Sequence, residues 1–111
     1  MTKLYQNKAH LAWIHDLRCC LRSASEADAL RPKCNGGIQA HHLLKPWDGF
    51  RGMGMKASDK NLIPVCFAHH QAIHNRGDQN KYFELAMNDE DFGRNVAKSL
   101  WFCSPYFEEC K

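Results

Sequence analysis

Near the start of the chain Leu11, Ile14 and Leu17 fall three apart with Trp13 beside them. This spacing predicts an amphipathic helix over residues 4–17, ending near Arg18. The periodicity then stops. Residues 19–37 run from Cys19-Cys20 through a polar stretch and Pro32 to Cys34-Asn35-Gly36-Gly37, which is turn chemistry and reads as a loop pinned at its ends. Residues 38–44, bounded by the glycine pair and by Lys45-Pro46, predict a short strand fed by a tight turn. Residues 46–60 hold glycines and no sustained period, as expected of a long surface loop that carries function. A second strand follows over residues 61–65, then a short helix over 67–75 stopped before Gly77. Residues 79–87 are again helical in pattern. Asn88 is placed to cap a last helix whose apolar face is Phe92, Val96 and Leu100. The fold class expected is α+β, with two strands and a short helix at the centre, an N-terminal helix, long loops and C-terminal helices.

At 111 residues this is one domain with a modest core, and a chain so small calls for a further staple. No repeat, low-complexity tract or linker suggests a second domain. Hydrophobic residues at 44% and charged residues at 24% are ordinary for a folded globular chain, which excludes a fibre or a disordered tail. No run approaches the roughly 20 apolar residues that span a bilayer. The N-terminus also lacks the apolar stretch of a secretory signal, so the chain reads as cytoplasmic. Six cysteines in that setting point to reduced thiols or metal ligands, and hence to zinc, rather than to disulfides.

A formal charge of +3 is compatible with a nucleic-acid partner without arguing for one. Its distribution says more. Lys45, Arg51, Lys56 and Lys60 outnumber Asp48 and Asp59 in the glycine-containing loop, which reads either as a phosphate-facing strip or as a solvated loop. Arg51 and Lys56 are the candidate DNA contacts, neither of them base-specific. Trp47 and Phe50 either stack on bases or form a satellite core. Asp59 reads as a turn residue or a loop anchor, outside the catalytic set.

The densest chemistry is histidine. Five of the seven histidines lie between positions 41 and 74, as His41-His42 on the first strand and His69-His70-x3-His74 on the short helix. Residues four apart share a helix face, so His70 and His74 can present two imidazoles to one ion while His69 points elsewhere. Neighbours on a strand face opposite ways, so one of His41 and His42 binds and the other stays free. A hydrolytic site needs that division: a cation with open positions, and a nearby neutral imidazole to deprotonate water.

These residues resemble the HNH endonucleases with a ββα-metal core. The matching pieces are Ala40-His41-His42-Leu43, then Asn61-Leu62-Ile63-Pro64-Val65-Cys66, then His69-His70-x3-His74, within residues 10–78, with 79–111 as a helical extension. Residues 52–59 also resemble a loop of small phage and prophage nucleases. The resemblance implies that His42 is the general base, that Asn61 holds the backbone of the base-bearing strand, and that His41, His70 and His74 bind the catalytic cation. Such imidazole-rich sites suit zinc, manganese or nickel, and magnesium only if water and phosphate supply most ligands. The implied partners are DNA and a recombination or packaging protein, for a monomer or dimer in a bacterial host, with no membrane.

Many HNH proteins also hold a structural zinc with two CxxC pairs, and this chain departs from that pattern. The second pair appears as Cys66-x2-His69, which zinc accepts. The first would be Cys34 with Cys19, or with Cys20 in its place. Cys103 and Cys110 lie outside the pattern and read as buried or incidental thiols. A reading from another class is a non-catalytic zinc-finger module for DNA or a protein, with Cys66, His69, His70 and His74 as ligands. An RNA-directed nuclease would use the same site.

Overall fold

The computed structural model describes residues 6–21, 34–47 and 58–107. The first helix, α1, spans Lys8–His15, shorter than the apolar spacing predicts. Asn7 ends it on the N-terminal side by accepting from the His10 N–H at 3.0 Å. Its buried face is His10 and Ile14, while Leu11 and Leu17 are half-buried.

Strands β1 (Ile38–His42) and β2 (Leu62–Cys66) pair antiparallel with Ile38 opposite Cys66 and His42 opposite Leu62. A short 3-10 turn, Asp59–Asn61, leads into β2. All of β2 is buried, as expected of a strand covered on both faces. Pro64 sits in that strand without an N–H to give. Its carbonyl accepts from the Cys20 N–H at 2.8 Å, which lays the segment after α1 along the strand.

Helix α2 (Phe67–Arg76) follows β2 directly and ends at Gly77. Helices α3 (Gln79–Met87) and α4 (Phe92–Cys103) complete the chain. Asn88 belongs to α3 rather than to α4: it takes the left-handed conformation at φ 59° that closes a helix C-terminus. Likewise the buried stripe of α4 is Gly93, Ala97 and Trp101, one position on from the predicted face, with Phe92 and Val96 half-buried at its margin. Gly93 explains the offset. A Cβ there would lie 2.6 Å from the Phe83 ring and 3.0 Å from Leu43, so the helix approaches the core along its glycine.

The core joins Leu21, Leu43, Ile63, Val65, Ile73, Tyr82, Phe83 and Ala97 into one cluster. Among the described residues no helix is long and apolar enough to cross a membrane.

Candidate functional site

Two groups of side chains stand on the ββα centre. The first begins with the start of α2, whose leading N–H groups have no intrahelical acceptor. Here Phe67 N–H donates to Gly37 O and Ala68 N–H to Asn35 O, each at 3.0 Å, and the His69 N–H donates to Cys66 Sγ at 3.4 Å. The 34–37 turn is thereby docked on the helix, carrying Cys34 with it. Gly36 permits the docking, with φ at +84° and its Cα so close that a Cβ would meet Phe67 Cβ at 2.5 Å.

Cys19, Cys34, Cys66 and His69 converge there, their ligand atoms all within 4.8 Å of one another. His69 Nδ1 lies 3.4 Å from Cys19 Sγ, 3.6 Å from Cys34 Sγ and 3.0 Å from Cys66 Sγ. A tetrahedral zinc with bonds of about 2.3 Å to sulfur and 2.0 Å to nitrogen sets S···N edges of about 3.5 Å. The donor set and its spacing therefore fit a structural zinc. Cys19 stands in the group. Cys20, half-buried, is not one of its members. Burial and the neighbouring sulfurs raise the Cys19 thiol and push Cys34 up to about 12. Burial works the same way on Cys66, but the N–H groups of His69 and Asn35 outweigh it and hold that thiol below its ordinary value. A cation would relieve the crowding, because thiolate is the binding form.

The second group lies along β1. The strand sends His41 and His42 to different environments, as alternation requires. His41 is buried against α2, its ring centroid 5.1 Å from that of His70 and 6.5 Å from that of His74, while His70 and His74 are 4.6 Å apart. Imidazoles sharing one ion at about 2.1 Å have centroids roughly 4.5–5.5 Å apart. Two of the three pairs meet that spacing and the third is wider, so closing on an ion requires a small turn of His41 or His74. Burial, with His70 and His74 adding to it, lowers His41 to about 4, against a hydrogen bond to Gln79 that pulls upward. Burial also lowers His70. Both rings are neutral near pH 7, the form that ligates.

His42 faces the 3-10 turn. Its Nε2 is 2.9 Å from Asp59 Oδ1, and the other carboxylate oxygen accepts from the Asn7 N–H at 2.8 Å. Although burial alone raises a carboxyl, these two bonds hold Asp59 below its usual range. Asn61 braces the same region. Its carbonyl accepts from the Leu43 N–H at 3.1 Å and its Oδ1 from the Trp47 N–H at 2.8 Å, while its Nδ2 donates to Ser58 Oγ at 3.0 Å. Trp47 and Ser58 are thus tied to one side chain.

The sequence reading leaves Asp59 outside the site as a turn residue or loop anchor, and it lies in the 3-10 turn but also against His42; Gln79 it does not single out. Gln79 Oε1 takes His41 Nε2 and the Leu44 N–H, each at 2.9 Å, from the first turn of α3. Neither residue has a local signature. Only the requirement that every working imidazole have an acceptor on its second nitrogen could have prompted the search. Arg51 and Lys56 lie outside the described residues, as do Phe50 and Cys110. Trp47 is described, and donates its indole N–H to Lys60 O while its ring packs 5.8 Å from Phe102, the satellite-core alternative.

Residues 2–90 match the model of a protein family described as "Protein of unknown function (DUF968)". No curated protein and no solved structure matches the chain.

Proposed function

Since the chain belongs to the DUF968 family, whose description carries no activity, we propose its function from the site itself: a zinc-stapled, metal-dependent endonuclease of the HNH kind that hydrolyses DNA phosphodiester bonds. The observation that carries this reading is a surplus of organised histidine. Cys19, Cys34, Cys66 and His69 suffice to staple a small chain. Yet β1 and α2 also gather His41, His70 and His74, and the next residue of β1, His42, stands against the carboxylate of Asp59 on the 3-10 turn. A purely structural zinc knot has no use for these four imidazoles.

His41, His70 and His74 are the residues that would hold the catalytic cation, which when bound supplies positive charge to a scissile phosphate and its leaving oxygen. His42 takes a proton from the attacking water. Asn61 holds the backbone beyond His42 through the Leu43 and Trp47 N–H groups. His41 and His42 are the last two residues of β1, so a phosphodiester lying across the strand end can meet the base and the cation together.

The test is nicking of supercoiled plasmid by zinc-reconstituted wild type and His42→Ala, each supplied separately with magnesium, manganese, nickel or additional zinc. Nicking that depends on metal and falls by about 100-fold or more in the variant supports the nuclease. Equal rates for both, or none under any metal, overturn it. A second reading, a non-catalytic zinc module for DNA or a protein, draws on the tightness of the Cys3His group, the one ligand set among the described residues closed to within 4.8 Å. Binding without cleavage, lost on substitution of Cys66 but not of His42, is its signature.

A further inference from the structure

The Asp59 carboxylate constrains which nitrogen of His42 can work. Both of its oxygens are engaged, Oδ1 by His42 Nε2 at 2.9 Å and Oδ2 by the backbone N–H of Asn7 at 2.8 Å. An ionised carboxylate only accepts, so the hydrogen in the first contact belongs to the imidazole. His42 Nδ1 has no hydrogen-bond partner among the described residues, and the side chain retains 20% of its exposure.

We infer that Asp59 is a positioning residue that holds His42 as the Nε2–H tautomer, leaving the Nδ1 lone pair as the proton acceptor. The reaction it serves rests on the nuclease reading; the tautomer does not. In that reaction water gives one proton to Nδ1 while its oxygen forms the bond to phosphorus. The ester bond to the leaving oxygen breaks, and that oxygen takes a proton from solvent. Asp59 keeps its charge throughout and stabilises the imidazolium that forms. The Asn7 N–H fixes the carboxylate from the other side, so the entry to α1 and the base are set by one group.

Asp59→Asn separates this from a loop anchor. An amide has one accepting oxygen and one donating nitrogen, so it cannot accept from both Asn7 and His42. The backbone N–H cannot change its role and the imidazole can. The amide oxygen therefore stays with Asn7, its NH2 meets Nε2, and His42 is driven to the Nδ1–H form.

The experiment is long-range 1H–15N correlation of labelled, zinc-loaded protein under conditions where the ring is neutral, with His42 assigned by its loss in His42→Ala. The expected result is Nε2–H in wild type and Nδ1–H in Asp59→Asn. In plasmid nicking the variant is expected to lose about 100-fold in kcat with KM for DNA unchanged. Nδ1–H in wild type overturns the inference without any variant having to fold. So does an unchanged tautomer, or unchanged kcat, in Asp59→Asn. The expected tautomers without nicking by either protein support the positioning and overturn the reaction assigned to it.

Discussion

Gln79 does for His41 what Asp59 does for His42. Its amide oxygen occupies His41 Nε2 and the Leu44 N–H at once, and the residue is 3% exposed. In the proposed three-histidine site the contact leaves Nδ1 of His41 as the nitrogen that would meet the cation. Gln79→Ala removes the acceptor of a buried imidazole nitrogen, and orienting groups of this sort affect metal affinity by about 10–100-fold. Titration with manganese or nickel is expected to show a weakening in that range with the cysteine site still filled. Affinity equal to wild type would mean that His41 is not oriented by Gln79. The pair was illegible in the sequence because it joins residues 38 apart through tertiary packing. By contrast, the opposite facing of His41 and His42 follows from strand geometry alone, as does the shared helical face of His70 and His74.

Between elements, the joint of β2 and α2 concentrates most of the order. The first turn of α2 is capped by Asn35, Gly37 and Cys66, residues that also frame the Cys3His group, so metal binding and helix initiation are coupled. Cys66→Ser, or removal of zinc by a chelator, is expected to lower Tm by roughly 10 °C or more, since binding free energy at such sites is folding free energy. An unchanged melting curve after verified zinc loss would refute the staple. At the other face, Gly93→Ala forces a methyl against the Phe83 ring and Leu43. Overpacking of this kind costs about 1–3 kcal/mol, read as a shift in urea midpoint, and a neutral result would show that α4 can retreat. Sequence periodicity located α3 to its end residues and placed α4, yet it misjudged two junctions. Asn88 suits either helix terminus by composition, and only its backbone angle decides. The α4 face was offset because the pattern counts large apolar residues, whereas the closest approach is made by glycine. The choice between Cys19 and Cys20 was equally closed to inspection of spacing, since the segment after α1 has no regular period. The bond from Cys20 N–H to Pro64 O sets its orientation.

At the scale of the whole molecule, N- and C-terminal segments meet over a buried histidine. His10 is fully buried, edge-on to Trp101 at 5.0 Å, with Nδ1 2.9 Å from Ser104 Oγ and no hydrogen-bond partner for Nε2. Burial lowers its pKa below the ordinary 6.5, with the charge of Asp59 opposing. The unfolded chain therefore binds the proton more readily. The contribution of His10 is fully present above pH 6.5 and is lost as pH falls through the depressed folded value. His41 and His70 act in the same direction, so the informative comparison is wild type against His10→Leu at each pH. The gap in urea midpoint between the two is expected to move in favour of the variant on acidification, and a constant gap would exclude His10 as a source of acid sensitivity. The start of α1 and the segment after α4 are thus tied together, with Asn7 also donating from its side chain to Tyr106 O at 3.0 Å. The claim on which the whole reading stands is that one small fold carries two separate metal positions, a Cys3His staple and a three-histidine site. Native mass spectrometry with metal analysis of wild type, His70→Ala/His74→Ala and Cys66→Ser tests it most directly. Two ions per chain in wild type, with the histidine double variant retaining only the staple ion, is the expected result; one ion per chain in wild type, unchanged when His70 and His74 are removed, would contradict it.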